Sequence, residues 1–214
     1  MKPPVAQPPP APSRRSYRIA KRALDFAVAL LGLVALSWLL GLVALLVKLT
    51  SRGPVFFHQA RAGMGGRPFV LRKFRSMRVD AELEQRELAR RNEMDGPIFK
   101  MRRDPRITRL GRFLRRSSLD ELPQLLNVLA GQMSLVGPRP LPLDEAEHLA
   151  PEHRHRHDVP PGLTGLWQVR GRNDLPYAEM MRLDLEYACR CSLGLDLRIL
   201  LATVPAVLSG RGAF

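Results

Sequence analysis

The sequence predicts an α+β fold, predominantly helical. It is one compact domain with a small β-hairpin, a re-entrant membrane helix and amphipathic interfacial helices. Three observations predict it. Residues 26–47 run for twenty-two positions without a charge. Residues 54–77 alternate apolar with polar side chains around Met64-Gly65-Gly66. Several later segments space apolar residues at the helical period. At 214 residues and 45% hydrophobic content the chain can bury one ordinary core, which excludes wholesale disorder. Its two cysteines, Cys189 and Cys191, exclude a disulfide scaffold. Thirty-four basic against twenty acidic side chains give +14, so an anionic partner is expected: nucleic acid, a lipid surface or a phosphorylated substrate.

The chain divides into a disordered proline-rich tail (1–16), a membrane-inserted helix with its hinge near Ser37 (17–50) and a cytoplasmic domain (51–214). The apolar run from Phe26 begins too late and extends too far for a signal peptide. As a helix it is roughly 33 Å long, enough to cross a hydrocarbon core of roughly 30 Å. Arg14, Arg15, Arg18, Lys21 and Arg22 precede it. Lys48, Arg52, Arg61, Arg67, Arg72, Lys73, Arg75 and Arg78 follow, with no acid from Lys48 to Val79. A crossing helix carries one of these clusters to the wrong face, whereas a helix-break-helix keeps both inside. Gly32, Ser37 and Gly41 supply a place to break. A straight spanning anchor is the alternative.

In the domain, residues 54–77 read as a hairpin with a glycine turn rather than a phosphate loop, because no helix start follows the glycines. Residues 80–93 read as a polar, solvated helix stopped by Asp95-Gly96-Pro97. Residues 105–116 read as a basic amphipathic helix. Ile107, Leu110, Phe113 and Leu114 share one face, with Arg106, Arg109, Arg112 and Arg116 opposite. Leu122, Leu125, Leu126 and Leu129 then follow a helical spacing closed by Gly131. Residues 134–142 read as an extended, proline-stiffened loop, and 160–172 as a turn and short strand. A helix is expected from about Tyr177 to Ala188. A final apolar segment, interrupted by Pro205, reads as a second interfacial or core-covering helix.

Asp120 and Glu121 stand just after Arg109, Arg112, Arg115 and Arg116. Ser118-x-x-Glu121 matches a capping box, and acids in a first helical turn are stabilised by the macrodipole. The same physics keeps a carboxylate beside arginines ionised, fit to be a nucleophile or a metal ligand. Spacing alone leaves both readings open. Arg139, held between Pro138 and Pro140, is equally a surface arginine or a phosphate ligand. Arg170 and Arg172 flank Gly171 in a similar turn.

Several blocks carry a resemblance, in order: KRALDFAVALLGLV, SRGPVFFHQARAG, RPFVLRKFRSMRVDAE, DPRITRLGRFLRRSSLDELPQLLNVLAGQMSLVGPRP, PGLTGLWQVRGR and the terminal LDLRILLATVPAVLSGRGAF. Over roughly residues 17–214 the chain resembles the bacterial sugar transferases, the monotopic polyprenyl-phosphate phosphoglycosyl transferases. The resemblance implies transfer of a phosphosugar from a UDP-sugar to polyprenyl (undecaprenyl) phosphate, with release of UMP. The setting it implies is the cytoplasmic face of the bacterial inner membrane, in contact with its lipid. The product would start a lipid-linked glycan such as exopolysaccharide, capsule or the O-antigen of lipopolysaccharide. By the same resemblance Asp120 is the nucleophile that forms a covalent phosphosugar-enzyme, and Glu121 joins it in holding Mg2+. Lys73 belongs with the catalytic residues, and Arg75, Arg115, Arg139 and Arg172 with substrate binding. Three departures stand out. Ser37 is followed by Trp38 where the family usually has Ser-Pro. Gly131-Gln132-Met133 replaces Gly-Asp-Met, removing an acid near the site. Cys191-Ser192 stands for Trp-Ser.

Other readings compete. A membrane-tethered module binding anionic lipid or nucleic acid rests on charge alone. Aromatic residues at 6% argue against nucleic acid as a partner. A hydrolase of lipid-linked diphosphates would use water as acceptor with the same cations. His148, His153, His155 and His157 read as a surface connection, since the intervening arginines repel a metal. The cysteines read as reduced packing thiols, and Trp167 as a packing or interfacial residue. A homodimer is left open.

Overall fold

The computed structural model describes residues 15–94 and 98–213. The proline-rich tail as far as position 14 and the expected stop at Asp95-Gly96-Pro97 lie outside the described residues. Helix α1 (Arg15–Ala35) already begins within the segment read as tail. Helix α2 (Ser37–Thr50) follows at an angle of 63°. The break falls at Leu36, beside the expected hinge. No proline causes it. The Ser37 hydroxyl instead donates to the Val34 carbonyl at 2.9 Å, a back-bond of the kind that bends helices. Among the described residues no single helix is long and apolar enough to cross a membrane; the bent pair passes that test together, by length and composition.

Buried polar contacts fix α1 to the domain. Lys21 Nζ lies 2.8 Å from the Asp196 carboxylate, and the Leu135 N–H donates to Asp25. Arg22, one of the flanking cations, donates to the carbonyls of Val128 and Leu129 and so caps a helix of the domain at its C-terminus.

The hairpin forms as its alternation predicts. Strands β1 (Phe56–Ala62) and β2 (Pro68–Phe74) are antiparallel, with Phe57 opposite Lys73 and Arg61 opposite Phe69. The turn residues Gly65 and Gly66 take positive φ. Phe69, Leu71 and Lys73 share the inner face with Arg61, so two cations sit where the period asks for apolar residues.

The polar helix is shorter than expected, α3 (Ala81–Leu88) plus a 3-10 turn over Ala89–Arg91. The basic helix is also shorter. α4 (Arg109–Arg116) starts where Thr108 accepts from the Gly111 N–H. Arg106 falls outside it and is buried against Asp104 at 2.7 Å, not wet. Leu114 is buried, while Phe113 points outward at 62% exposure. A 3-10 turn (Leu119–Gln124) leads into α5 (Leu125–Leu129).

Strand β3 (Ser134–Val136) pairs in parallel with β4 (Gly162–Thr164), a contact the extended reading of 134–142 did not contain. Between them lie α6 (Leu143–Glu147) and a 3-10 segment, Pro151–Asp158. The expected surface character of that histidine-rich segment fails at Arg156, which is 2% exposed and paired with Asp184. Residues 166–170 form a helix, α7 (Leu166–Arg170), in a stretch read as turn and strand. Helices α8 (Tyr177–Arg190) and α9 (Leu193–Ser209) complete the chain, and α9 continues through Pro205 instead of being interrupted there.

The main core gathers Leu125, Val128, Met133, Leu135, Trp167, Met180, Met181 and Tyr187 beneath both strand pairs. A smaller cluster of Val43, Val47, Phe74 and Leu114 ties α2 to the hairpin and α4. Outside these cores Leu31, Val34, Trp38, Leu42 and Leu45 on the bent pair are exposed, as are Leu197, Leu201, Val204 and Leu208 on α9.

Candidate active site

The Asp120-Glu121 pair sits in the 3-10 turn between α4 and α5. The capping box does not form. Ser118 takes a left-handed conformation (φ 57°), and its hydroxyl caps no backbone N–H of the turn. Asn127, fully buried, joins this region to the hairpin. It accepts from the Arg72 N–H and donates to the Val70 carbonyl. Gln132, at the position read as near the site, is exposed and accepts from Asn127; it does not line the cleft described next.

The pair lines a cleft of about 610 Å3. Lys73, Arg115, Arg139 and Arg172 all line it with them, so the structure brings six of the seven predicted residues together. Arg75 is the seventh. Its guanidinium donates to the carbonyl and hydroxyl of Ser51, under the turn after α2, and lines a neighbouring cleft of about 250 Å3. Arg115 donates to the Ser76 hydroxyl at 3.0 Å. Arg139 reaches Glu121 at 2.5 Å. Arg172 approaches the Ser118 hydroxyl at 3.5 Å. Ser118 and Arg172 are the two non-glycine residues with positive φ among those described, and they meet at the cleft. Strained backbone of this kind collects at functional sites.

Three further groups were not singled out as site residues from the sequence: Arg61, Lys100 and Glu145, which line both clefts. For Arg61 a signal existed, its inward register on the hairpin. Lys100 and Glu145 follow no local pattern. Lys100 lies over the Trp167 ring at 5.1 Å, and Trp167 is buried.

The two carboxylates have opposite environments. Burial, together with the Glu121 charge, pushes Asp120 up to about 6, against the pull of Lys73 and Arg115. Burial acts on Glu121 too, but the Arg139 guanidinium overcomes it and holds that carboxyl below the usual range. Lys73 is pushed down to about 7 by burial and by the nearby Arg115 and Arg61. Arg61 is lowered to about 10 by burial and by Arg139. A site whose cations repel one another is set up to receive a multiply charged anion.

Asp120, Glu121 and Glu145 are the carboxylates that line the cleft, and Asp120 with Glu121 form the adjacent pair that a magnesium ion would use. Mg2+ is usually held by one or two carboxylates, with substrate phosphates and water completing its shell, so this donor set fits. The opposite wall is apolar: Leu36 and Leu39 at the helix bend, and Leu200 and Val207 of α9. The arrangement places a buried carboxylate pair, a set of cations and an apolar flank in one cavity.

Comparison with known proteins agrees with this chemistry. Residues 16–210 match the family model described as bacterial sugar transferase. The chain is 46% identical over 202 residues to a galactosyl transferase, CpsE, of Streptococcus agalactiae, covering 92% of this chain and 44% of that protein. It is 42% identical to the exopolysaccharide production protein ExoY of Sinorhizobium fredii, covering 92% and 88%. A UDP-glucose:undecaprenyl-phosphate glucose-1-phosphate transferase of Xanthomonas campestris is 44% identical, with 94% and 41% covered. The chain thus spans under half of the first and third of these proteins and most of the second. With a match that takes in the dyad, the cations and both strand pairs, the chain belongs to the bacterial sugar transferase family.

Proposed function

We propose that this chain transfers a phosphosugar from a UDP-sugar to undecaprenyl phosphate, releasing UMP and starting a lipid-linked glycan. The observation that carries the reading is the cleft itself, a split-environment carboxylate pair among six basic side chains (Arg61, Lys73, Lys100, Arg115, Arg139, Arg172) with an apolar wall. The names of the relatives from X. campestris and Salmonella typhimurium, an undecaprenyl-phosphate galactose phosphotransferase, support the same acceptor.

A carboxylate oxygen of Asp120 attacks the sugar-side phosphorus of the donor. The new O–P bond forms as the diphosphate P–O bond breaks, and UMP leaves with the electron pair. In the second half-reaction a phosphate oxygen of the polyprenyl phosphate attacks the same phosphorus and expels the Asp120 carboxylate. The negative charge gathered here would forbid approach without counter-charge. Lys73, Arg115 and Arg139 supply it around the phosphates, and Arg172 closes the site from the Ser118 side. Asp120 and Glu121 would hold a magnesium ion, which when bound would supply further neutralisation of the diphosphate. Glu121, kept ionised by Arg139, orients this cluster. The isoprenoid chain lies along Leu36, Leu39 and α9. The bent α1–α2 pair enters and leaves the cytoplasmic leaflet of the inner membrane on one side, and α9 lies at its surface.

The test is a screen of UDP-sugars for UMP release by the protein in vesicles containing undecaprenyl phosphate and Mg2+. One or more donors should release UMP, and UMP should exchange into that donor without the acceptor lipid. Asp120→Asn should lose at least about 10³-fold in rate while folding normally, because the amide is near-isosteric. Full activity in that variant removes the nucleophile assignment, and no release from any donor removes the function.

A further inference from the structure

The segment that presents Arg139 is held in an unusual way. Four consecutive backbone carbonyls, from Pro138 to Leu141, are each bound by a separate donor. The Gly162 N–H donates to Pro138, Arg156 to Arg139, Arg61 to Pro140 and the Ala62 N–H to Leu141, at 2.6 to 2.9 Å. Two of the four donors are guanidinium groups. One of these, Arg156, comes from the histidine-rich segment that otherwise looks like a surface run.

Arg156 and Asp184 are among the most deeply buried charged residues described, at 2% and 1% exposure. Two guanidinium nitrogens of Arg156 reach the same Asp184 oxygen, at 2.6 and 3.1 Å. The nitrogen at 2.6 Å also donates to the Arg139 carbonyl. A buried ion pair is seldom worth more to stability than well-packed apolar residues of the same volume. Its contacts therefore point to another use. Asp184 holds the guanidinium from α8, and the guanidinium holds the Arg139 backbone, whose side chain reaches Glu121.

We propose that Arg156, anchored on Asp184, is a positioning residue for the reaction. It fixes the Arg139 backbone and through it the Arg139–Glu121 pair. The inference rests on the proposed transferase reading. Arg156 touches no reacting atom. It acts by removing slack from a segment whose arginine must meet a phosphate and a carboxylate together. Positioning groups behind a ligand of this kind commonly change activity or metal affinity by about 10- to 100-fold.

The experiment separates positioning from simple stability. Arg156→Met combined with Asp184→Leu removes both charges and refills the volume, and should stay folded. Its kcat for UMP release should fall about 10- to 100-fold with thermal unfolding near wild type. Wild-type kcat in the folded double variant overturns the proposal. Arg156→Lys covers the case in which the double variant does not fold. A lysine keeps the charge opposite Asp184, but its side chain is one atom shorter and falls short of the terminal nitrogen position that bridges Asp184 and the Arg139 carbonyl, so kcat should fall here too. Unchanged kcat overturns the proposal. In an Arg139→Lys background, adding Arg156→Lys should cost less than about twofold more, because one acts through the other. Fully multiplicative losses overturn it. If wild-type protein releases no UMP, the transferase reading fails; if it is active and these variants match it, this proposal alone fails.

Discussion

Asp120 and Glu121 are neighbours in sequence, yet their surroundings drive them apart. Burial lifts Asp120 to about 6, and Arg139 holds Glu121 down. Two carboxylates with separated affinities for protons are the usual basis for dividing two roles between them. In the proposed mechanism attack requires the ionised form of Asp120, so protonation would remove activity. The fraction ionised falls tenfold per pH unit below the titration point. The donor kcat/KM, which reports the free enzyme, should therefore decline tenfold per unit below about pH 6, and fall again above about pH 7 as Lys73 loses its charge. A pH–rate profile of UMP release checks this, and an acid limb near pH 4 contradicts it. At this scale the sequence pointed to residues that the fold gathers in one cleft, though the capping box it also offered does not form. The Ser118-x-x-Glu121 spacing suits a capping box, but Ser118 adopts φ 57° and turns its hydroxyl toward Arg172. Arg75 lies in the same Lys-Phe-Arg block as Lys73, and the strand period alone would put both on one face, but β2 ends at Phe74 and Arg75 turns to Ser51 instead.

Helix α4 and the hairpin set the distance between Arg115 and the dyad. The contact is made through Gly111. A Cβ at that position would lie 1.9 Å from the Ser76 carbonyl oxygen, which is backbone and cannot give way. Gly111→Ala should push α4 outward, weaken the Arg115–Ser76 hydrogen bond and destabilise the fold by about 1–3 kcal/mol. Denaturant unfolding of the purified protein checks the loss, and an unchanged midpoint contradicts it. Elements with a local signal were legible. The hairpin shows a two-residue alternation and a glycine turn, and α8 and α9 are long enough to display a helical face. Elements made by distant pairing were not. β3 and β4 have three residues each, with Ser134 paired to Gly162, and no window of the sequence contains both. α7 is too short for a period to be read. Arg156 was hidden because HRHRHD has the composition of a solvated run, and its partner Asp184 lies on another helix.

At the scale of the whole molecule, the proposed membrane contact rests on the bent pair. Cations flank it at both ends, and Arg15 and Arg52 are exposed. Single variants Arg15→Cys and Arg52→Cys in oriented vesicles should react with an impermeant thiol reagent from the same side; reaction from opposite sides would mean that the pair spans. The sequence supplied both the place of this bend and Ser37 as its hinge; the usual proline is Trp38 here, and the Ser37 hydroxyl back-bonds the Val34 carbonyl at the break. The elbow has a further consequence. Leu36 and Leu39 belong at once to the bend and to the wall of the cleft. In the membrane setting proposed above, embedding depth and the shape of the cleft wall would therefore be linked through one pair of side chains. Acyl tails of different length, by pressing this joint up or down, would act on the cleft as well as on the anchor. Lipid composition would then be a structural input to the proposed turnover, and a detergent micelle that does not reproduce the leaflet would alter the geometry of the cleft.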